Sequence, residues 1–396
     1  MRKEYILEGL CCANCAAKIE KEVRALFGVL EANINLVNCK LSIQLADGVD
    51  TDLTQVIKQI VASHEPSVKV IKHDEDKEEV GTKQEKKETM DENKIFDLSC
   101  CTLCPHECGI DRYAHTGFCN VGVNPVVSSI FPHKGEEPVI SGEKGICNVF
   151  FAHCNLQCIY CQNHQISRNT KHSKKWLTDN KVIVDEIKSI LNTGIGMVGF
   201  VSPSHQVAQM VDIVNSLNKS GYKPIIVYNS NGYDKVETLQ MLEGIVDVYL
   251  PDLKYYDSIL AQRFSGVSDY FQLASKAIKE MYRQKGSTLI LNNEGLAEFG
   301  MIIRHLVLPG HANDSIKLLN FLAEEVSTKL YISLMSQYYP PAELTLPNEL
   351  NQHVGIEEYK KVIEVLENHG FRGWVQDLVS SHFYRPDFES NNPFSE

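Results

Sequence analysis

An α/β chain in two unequal pieces is what the sequence predicts, on three observations. Downstream of residue 145, six apolar runs of strand length alternate with six helical patterns. Upstream of residue 74, four strand-like and two helical segments follow one another in the order βαββαβ. Between the two, residues 74–94 carry five basic and nine acidic side chains and almost nothing that could bury against a core. Strands and helices in series imply a parallel sheet with helices outside it. A charged, core-free stretch reads as a flexible acidic linker, and therefore as a domain boundary.

The first piece, residues 1–73, is predicted as strand 5–7, a cysteine loop, helix 16–26, strands 29–34 and 40–45, helix 53–62 and strand 68–71. That order is the split, ferredoxin-like α+β arrangement. After the linker, residues 95–145 form a Cys-rich leader segment. The alternation then fills 146–379, with strands at 146–151, 197–201, 224–228, 246–250, 301–307 and 330–334. Helical periodicity follows them at 180–192, 205–219, 235–242, 269–284, 314–327 and 356–368. The tail, 380–396, is polar and reads as irregular.

Composition narrows the function classes. Of 396 residues 43% are hydrophobic, enough for real cores, and the net charge of −12 is spread so that no piece is basic. Phosphate binding needs clustered Lys and Arg, so nucleic acid is not the expected partner. No apolar stretch approaches the ~18 residues of a spanning helix, and Glu4 and Glu8 interrupt the N-terminal segment that could imitate a signal peptide. Thirteen cysteines in short-spaced groups read as reduced thiolate ligands rather than a disulfide framework, which places the chain in the cytoplasm.

Cys154, Cys158 and Cys161 set three thiolates within eight residues, directly after the first strand of the alternation. A four-iron, four-sulfur cluster is normally held by four thiolates, so this loop would leave one iron open. The alternative is a zinc knuckle completed by His153 or His164. Ligand chemistry in parallel sheets lies at the C-terminal strand ends, where this loop begins. The C-x3-C-x2-C spacing resembles the signature of radical S-adenosylmethionine (SAM) enzymes. That resemblance implies a [4Fe-4S] cluster whose open iron chelates SAM, with Tyr160 against the adenine.

Residues 96–375 resemble, more narrowly, the radical SAM branch named for pyruvate formate-lyase activating enzymes. The match runs through Cys101-Thr-Leu-Cys104-Pro-His-Glu-Cys108-Gly-Ile-Asp-Arg112, Gly117-Phe-Cys119, Val201-Ser-Pro-Ser-His205, Val227-Tyr-Asn-Ser-Asn-Gly-Tyr-Asp234, Val248-Tyr-Leu-Pro-Asp-Leu-Lys-Tyr-Tyr-Asp257, Ile303-Arg-His-Leu-Val-Leu-Pro-Gly310 and Leu334-Met-Ser-Gln-Tyr-Tyr-Pro340. It implies a partial (β/α)6 barrel with the cluster and SAM at its open top. It also implies a low-potential electron donor such as flavodoxin or ferredoxin, and a protein glycine as the suggested target. Asp252, Leu253 and Lys254 match the Asp-x-Lys segment that lies beside SAM. Arg304 could fork onto a carboxylate or ribose, and Gln337 aligns with a SAM-contacting histidine. The Gly-Gly-Glu motif that holds the SAM amine is absent from the second strand. Ser202, Ser204 or backbone carbonyls could accept its hydrogen bonds instead. His205 is either catalytic or the start of a helix.

Two further cysteine groups stand outside the triad. Cys101, Cys104, Cys108 and Cys119 suffice for a closed tetrathiolate site, either structural zinc or an auxiliary cluster. At the N-terminus, Gly9-Leu-Cys-Cys12-Ala-Asn-Cys15-Ala-Ala-Lys-Ile-Glu20 resembles the metal loop of heavy-metal-associated domains. Two thiolates at a helix start suit Cu(I), with Zn(II) or Cd(II) if Cys11 adds a third, and a redox Cys-x-x-Cys is the alternative. Cys147, within the first strand, is expected in apolar packing. The reading as a whole is a radical SAM enzyme with a tethered metal-binding domain. Against it stands a non-catalytic metal or iron-sulfur carrier or sensor.

Overall fold

The computed structural model describes residues 2–8, 13–35, 40–46, 53–65, 68–73, 96–378, 380, 385–390 and 393–394. The expected linker and the loop from Gly9 to Cys12 lie outside these residues. The chain divides into two compact units, Met1–Thr89 and Met90–Glu396.

In the small unit, β1 (Arg2–Glu8), α1 (Ala13–Arg24), β2 (Val29–Asn35), β3 (Lys40–Leu45), α2 (Thr54–His64) and β4 (Lys69–His73) follow the expected order. Its antiparallel sheet runs β2-β3-β1-β4. Alternation puts Tyr5 and Leu7 on the same buried face as Leu41, Ile43 and Leu45. Helical spacing turns Ile19, Val23, Ile57 and Val61 onto them.

The large unit opens with an element that the sequence reading missed. Strand β5 (Val127–His133) lies antiparallel to β6 (Ile146–Phe151), with the short helix α3 (Pro138–Ser141) between them. Next come α4 (His164–Ser167), α5 (Asn180–Leu191), β7 (Met197–Val201), α6 (Val207–Lys219), β8 (Ile225–Asn229), α7 (Val236–Met241) and β9 (Val248–Tyr249). The remainder is α8 (Ser258–Ser265), α9 (Tyr270–Lys285), β10 (Ile290–Leu291), β11 (Ala297–Leu306), α10 (Ala312–Glu325), β12 (Tyr331–Met335), α11 (Ile356–Asn368) and β13 (Arg372–Val375). All six expected strands form, in parallel. β13 extends the parallel run by one strand, and the sheet order is β13-β12-β11-β9-β8-β7-β6-β5, with β10 paired to β11.

Burial explains the pattern. Every residue of β6 and of β7 is buried, as strands covered on both faces must be. Asp179 and Asp257 cap α5 and α8 by accepting backbone N–H bonds in their first turns. Side chains of both edge strands, His133 on β5 and Trp374 on β13, line one cavity together with residues from β6, β8, β11 and β12. The sheet therefore bends around that cavity as the wall of a partial barrel. The tail is not only polar surface, since Phe394 packs against His133 with ring centroids 4.3 Å apart.

Candidate functional site

The loop after β6 gathers the three cysteine sulfurs around one small cavity of about 110 Å³, which Ser202, Asn231, Asp252, Lys254 and Arg304 also line. Each sulfur accepts a hydrogen bond. Cys154 Sγ takes them from Leu156 N at 3.4 Å and Asn231 Nδ2 at 3.3 Å. Cys158 Sγ accepts from Ser265 Oγ at 2.9 Å, and Cys161 Sγ from Ser167 Oγ at 3.3 Å. Burial pushes the Cys154 thiol up to about 12 and raises Cys158 as well, although Lys254 pulls Cys158 back down. Sulfurs so desolvated form stable thiolates when a bound cation supplies the compensating charge.

The backbone before the loop is strained. His153 adopts φ 65°, the left-handed region that side chains avoid. Its N–H donates to Ile166 O at 2.7 Å, tying the strand end to α4. Of the two histidines of the zinc-knuckle alternative, His153 lines the small cavity with the sulfurs and His164 does not. His153 Nδ1 faces Arg168 O at 3.3 Å and its ring meets Trp176 edge-on, while His164 Nδ1 faces Cys161 O at 3.2 Å. Among the described residues no three His, Cys, Asp or Glu side chains are gathered around a single-ion position. A four-iron cluster spreads its ligands over separate corners of a cube. The triad, with hydrogen-bonded sulfurs facing one cavity, has a donor set that fits such a group.

A chain of alternating charges crosses the strand ends beside this loop. Lys254 Nζ donates to Asp252 Oδ2 at 2.6 Å, Arg304 Nε to Asp252 Oδ1 at 2.9 Å, and Arg304 Nη1 to Glu136 Oε2 at 3.1 Å. Burial opposes ionisation of Asp252, yet Arg304 and Lys254 outweigh it and hold the carboxyl below its usual range. For Lys254 burial is likewise outweighed, here by Asp252, so its ammonium persists. Leu253 belongs to the core. Its backbone serves the site, with N–H donating to Arg304 O at 2.8 Å and C=O accepting from His305 Nδ1 at 2.6 Å.

Other expected contacts lie elsewhere. Tyr160 is buried beneath the loop, where its hydroxyl meets that of Tyr255 at 2.6 Å and lines neither cavity. Tyr255 in turn reaches Ser265 at 2.7 Å, so Tyr160 supports the donor to Cys158 from behind. Ser202, at φ 56°, lines the small cavity, whereas Ser204 is fully buried. His205 is held at Ala152 O by Nε2 at 3.0 Å, and burial lowers its pKa to about 3, so it is a neutral structural group under the loop. Gln337 lines the larger cavity, where its Oε1 accepts from Gln376 at 2.7 Å.

That larger cavity, about 470 Å³, shares Phe150, Asn163, Val201, Asn229 and Arg304 with the first. Sequence reading missed its acidic members, Glu136 and Glu137. Glu136 Oε1 accepts from Asn148 at 2.9 Å and Asn229 at 3.2 Å. Asn148 is a polar residue inside an otherwise apolar strand, and that was the one available signal.

The leader cysteines sit within one another's electrostatic reach. Cys104 is raised to about 12, first by burial, with the charges of Cys119, Cys101 and Cys108 adding to it. Phe118 N donates to Cys108 Sγ at 3.5 Å and Arg112 Nη2 to Cys119 Sγ at 3.4 Å. Arg112 also reaches His205 O at 2.9 Å, and His106 Nε2 reaches Asn155 O at 2.7 Å, so the leader braces the triad loop. Cys147 is buried in the strand, as expected. In the small unit Cys15 falls in the first turn of α1, and Cys12 lies outside the described residues.

Residues 148–322 match the family model of the radical SAM superfamily, and residues 4–65 that of the heavy-metal-associated domain. The chain carries both domains. The radical SAM domain brings with it the expectation of a [4Fe-4S] cluster and SAM. An uncharacterized protein of Methanocaldococcus jannaschii is 28% identical over 276 residues, 68% of this chain and 75% of that one. The copper-transporting ATPase 1 of Rhizobium meliloti is 38% identical over 48 residues, 12% of this chain and 6% of the ATPase. Among solved structures, a domain of pyruvate-formate lyase-activating enzyme from Bacteroides vulgatus aligns with 42% of this chain and 89% of its own, at 19% identity and TM-score 0.31. No helix among the described residues is long and apolar enough to cross a membrane.

Proposed function

We propose that the large unit is an enzyme that holds a [4Fe-4S] cluster through Cys154, Cys158 and Cys161, binds SAM beside it, and abstracts hydrogen from a substrate in the larger cavity. The observation that carries this reading is the convergence of three hydrogen-bonded sulfurs and the Lys254–Asp252–Arg304 ion chain on one cavity. When held by these thiolates and reduced by a low-potential donor such as flavodoxin or ferredoxin, the cluster would supply the one electron needed to cleave the SAM sulfonium. A protein glycine is the target suggested by resemblance to glycyl-radical activating enzymes.

The chain's own residues have separable tasks. Asn231, Ser265 and Ser167 donate to the sulfurs and favour their thiolate form. Lys254 and Arg304 set two cations at the cavity wall, where a carboxylate of SAM would find partners, while Asp252 keeps both charged and in place. Tyr160 and Tyr255 exclude water from behind Cys158. The leader cysteines Cys101, Cys104, Cys108 and Cys119 are proposed to hold zinc or an auxiliary cluster. Cys12 and Cys15 are proposed to hold a soft ion, with Cu(I) favoured by the thiolate pair.

The test is anaerobic reconstitution with iron and sulfide, reduction, and measurement of 5′-deoxyadenosine formed from SAM. Wild-type protein should produce it. Cys158→Ala should lose both cluster iron and product. A fully loaded wild-type protein that yields no deoxyadenosine with any candidate substrate would overturn the enzymatic reading in favour of a carrier.

A further inference from the structure

The larger cavity has a chemical polarity that the reading above does not use. Glu136 and Glu137 line it, and they differ sharply in how their oxygens are satisfied. Glu136 is saturated by Arg304, Asn148 and Asn229. Glu137 is only 8% exposed, and its Oε2 has no hydrogen-bond partner. A carboxyl whose oxygen is sealed from water without a partner costs free energy, which a cation in the adjoining cavity can offset through space. Arg304 offsets part of the Glu137 charge through space, but its ion pairs are with Asp252 and Glu136 and it gives Oε2 no hydrogen bond. Phe150, Trp374 and Phe394 supply aromatic surface to the same cavity. Carboxylate and aromatic faces together are the surroundings that stabilise a desolvated ammonium or guanidinium.

We propose that this cavity, whose lining includes Glu136, Glu137, Phe150 and Trp374, binds an organic cation, a primary ammonium or guanidinium group of the substrate, with Glu137 as its carboxylate partner. The proposal rests on the enzymatic reading only in taking the cavity's occupant to be the substrate. Neutral groups gain less, because they bring no charge to offset the Glu137 carboxyl, and anionic ones set a further negative charge beside Glu136. The groups facing Glu137 agree with this. Burial raises its pKa, Arg304 lowers it and Glu136 raises it again, while Ser333 bonds to the carboxyl. His133 across the cavity is kept neutral chiefly by burial. Burial thus favours the protonated carboxyl, and an arriving cation would shift the balance back toward the carboxylate.

The experiment uses full-length, cluster-reconstituted protein with SAM present. Titration calorimetry compares butylammonium with its neutral isostere n-pentanol and with butyrate. Two buffers of different ionisation enthalpy report proton release. Butylammonium should bind at least about tenfold more tightly than pentanol, with a proton released, and butyrate should not bind. Glu137→Gln should remove about tenfold in affinity and abolish the release, with iron content unchanged. Glu137→Asp should keep the preference for cations at reduced affinity. A blocked lysine tripeptide in parallel distinguishes sources: tighter binding than butylammonium assigns a polypeptide side chain, weaker binding a free amine. Equal binding of pentanol, preference for butyrate, or a well-folded Glu137→Gln protein with unchanged affinity would overturn the proposal. If the Gln variant does not fold, ligand selectivity of the wild type decides. Deoxyadenosine formation without cation binding would defeat this inference alone, and cation binding without SAM cleavage would defeat only the enzymatic reading.

Discussion

Replacing Asp252 with Asn tests whether the ion chain is a mechanical part of the site. The substitution keeps size and shape but removes the charge between Lys254 and Arg304, whose bonds to it are 2.6 and 2.9 Å long. All three side chains are more than four-fifths buried, at 16%, 18% and 18% exposure, so water screens the remaining cations weakly. Breaking a buried ion pair by deleting one partner costs about 3–5 kcal/mol. The amide oxygen of Asn can still accept one of the two bonds, which argues for the lower end, about 3 kcal/mol. Against the ~5–15 kcal/mol stability of ordinary domains this is a large loss. Urea unfolding of the metal-free, reduced protein would measure it. The double variant Asp252→Asn with Lys254→Met should cost less than the sum of the singles by about 1–2 kcal/mol, because it removes the orphaned ammonium as well. The sign with pH is fixed by the depressed carboxyl. Its contribution is complete above the unfolded value near 3.8 and vanishes as pH falls through the lower folded value, so wild type and variant should converge in acid. Strict additivity, or a single-variant cost under about 0.5 kcal/mol, would refute the chain as drawn.

Three further outcomes follow. Gly199→Ala would set a Cβ 2.2 Å from Asn148 Oδ1; overpacking should cost about 1–3 kcal/mol and weaken the hold on Glu136, read by urea unfolding and by loss of butylammonium affinity at constant iron content. His305→Gln should flatten the acid side of the stability profile: burial lowers that imidazole to about 4, so the native state stays neutral while the unfolded chain protonates below about 6.5. Between pH 7 and pH 5 the wild type should lose about 2 kcal/mol more than the variant in urea melts. Cys12→Ser combined with Cys15→Ser in the full chain should abolish one equivalent of bound Cu(I), titrated against a competing chelator, while leaving deoxyadenosine formation intact; loss of that activity would mean that the small unit feeds the large one.

What could be read from sequence was what is written locally. Six β–α units announced themselves because β7 is apolar throughout and β6 apolar but for Asn148, and the triad because its ligands fall within one loop. β5 escaped because its run contains Pro132, tolerable there only as part of an edge strand. β13 escaped because Arg-Gly-Trp-Val has no apolar run and is mostly exposed. The partners of the sulfurs were illegible for a different reason. Asn231 reaches Cys154 across 77 positions and Ser265 reaches Cys158 across 107, so only the folded sheet brings them together. The same distance hid the meaning of the altered second strand. Where the resembling enzymes place Gly-Gly-Glu, this chain keeps one glycine, Gly199, opposite Asn148 in the β6–β7 ladder. A side chain at 199 would strike the Asn148 carboxamide, and that carboxamide donates to Glu136. The glycine thus makes room for a neighbour that orients a carboxylate from a different part of the chain. The departure in the second strand coincides, in the fold, with a carboxylate from the segment between β5 and β6 that the neighbouring strand orients.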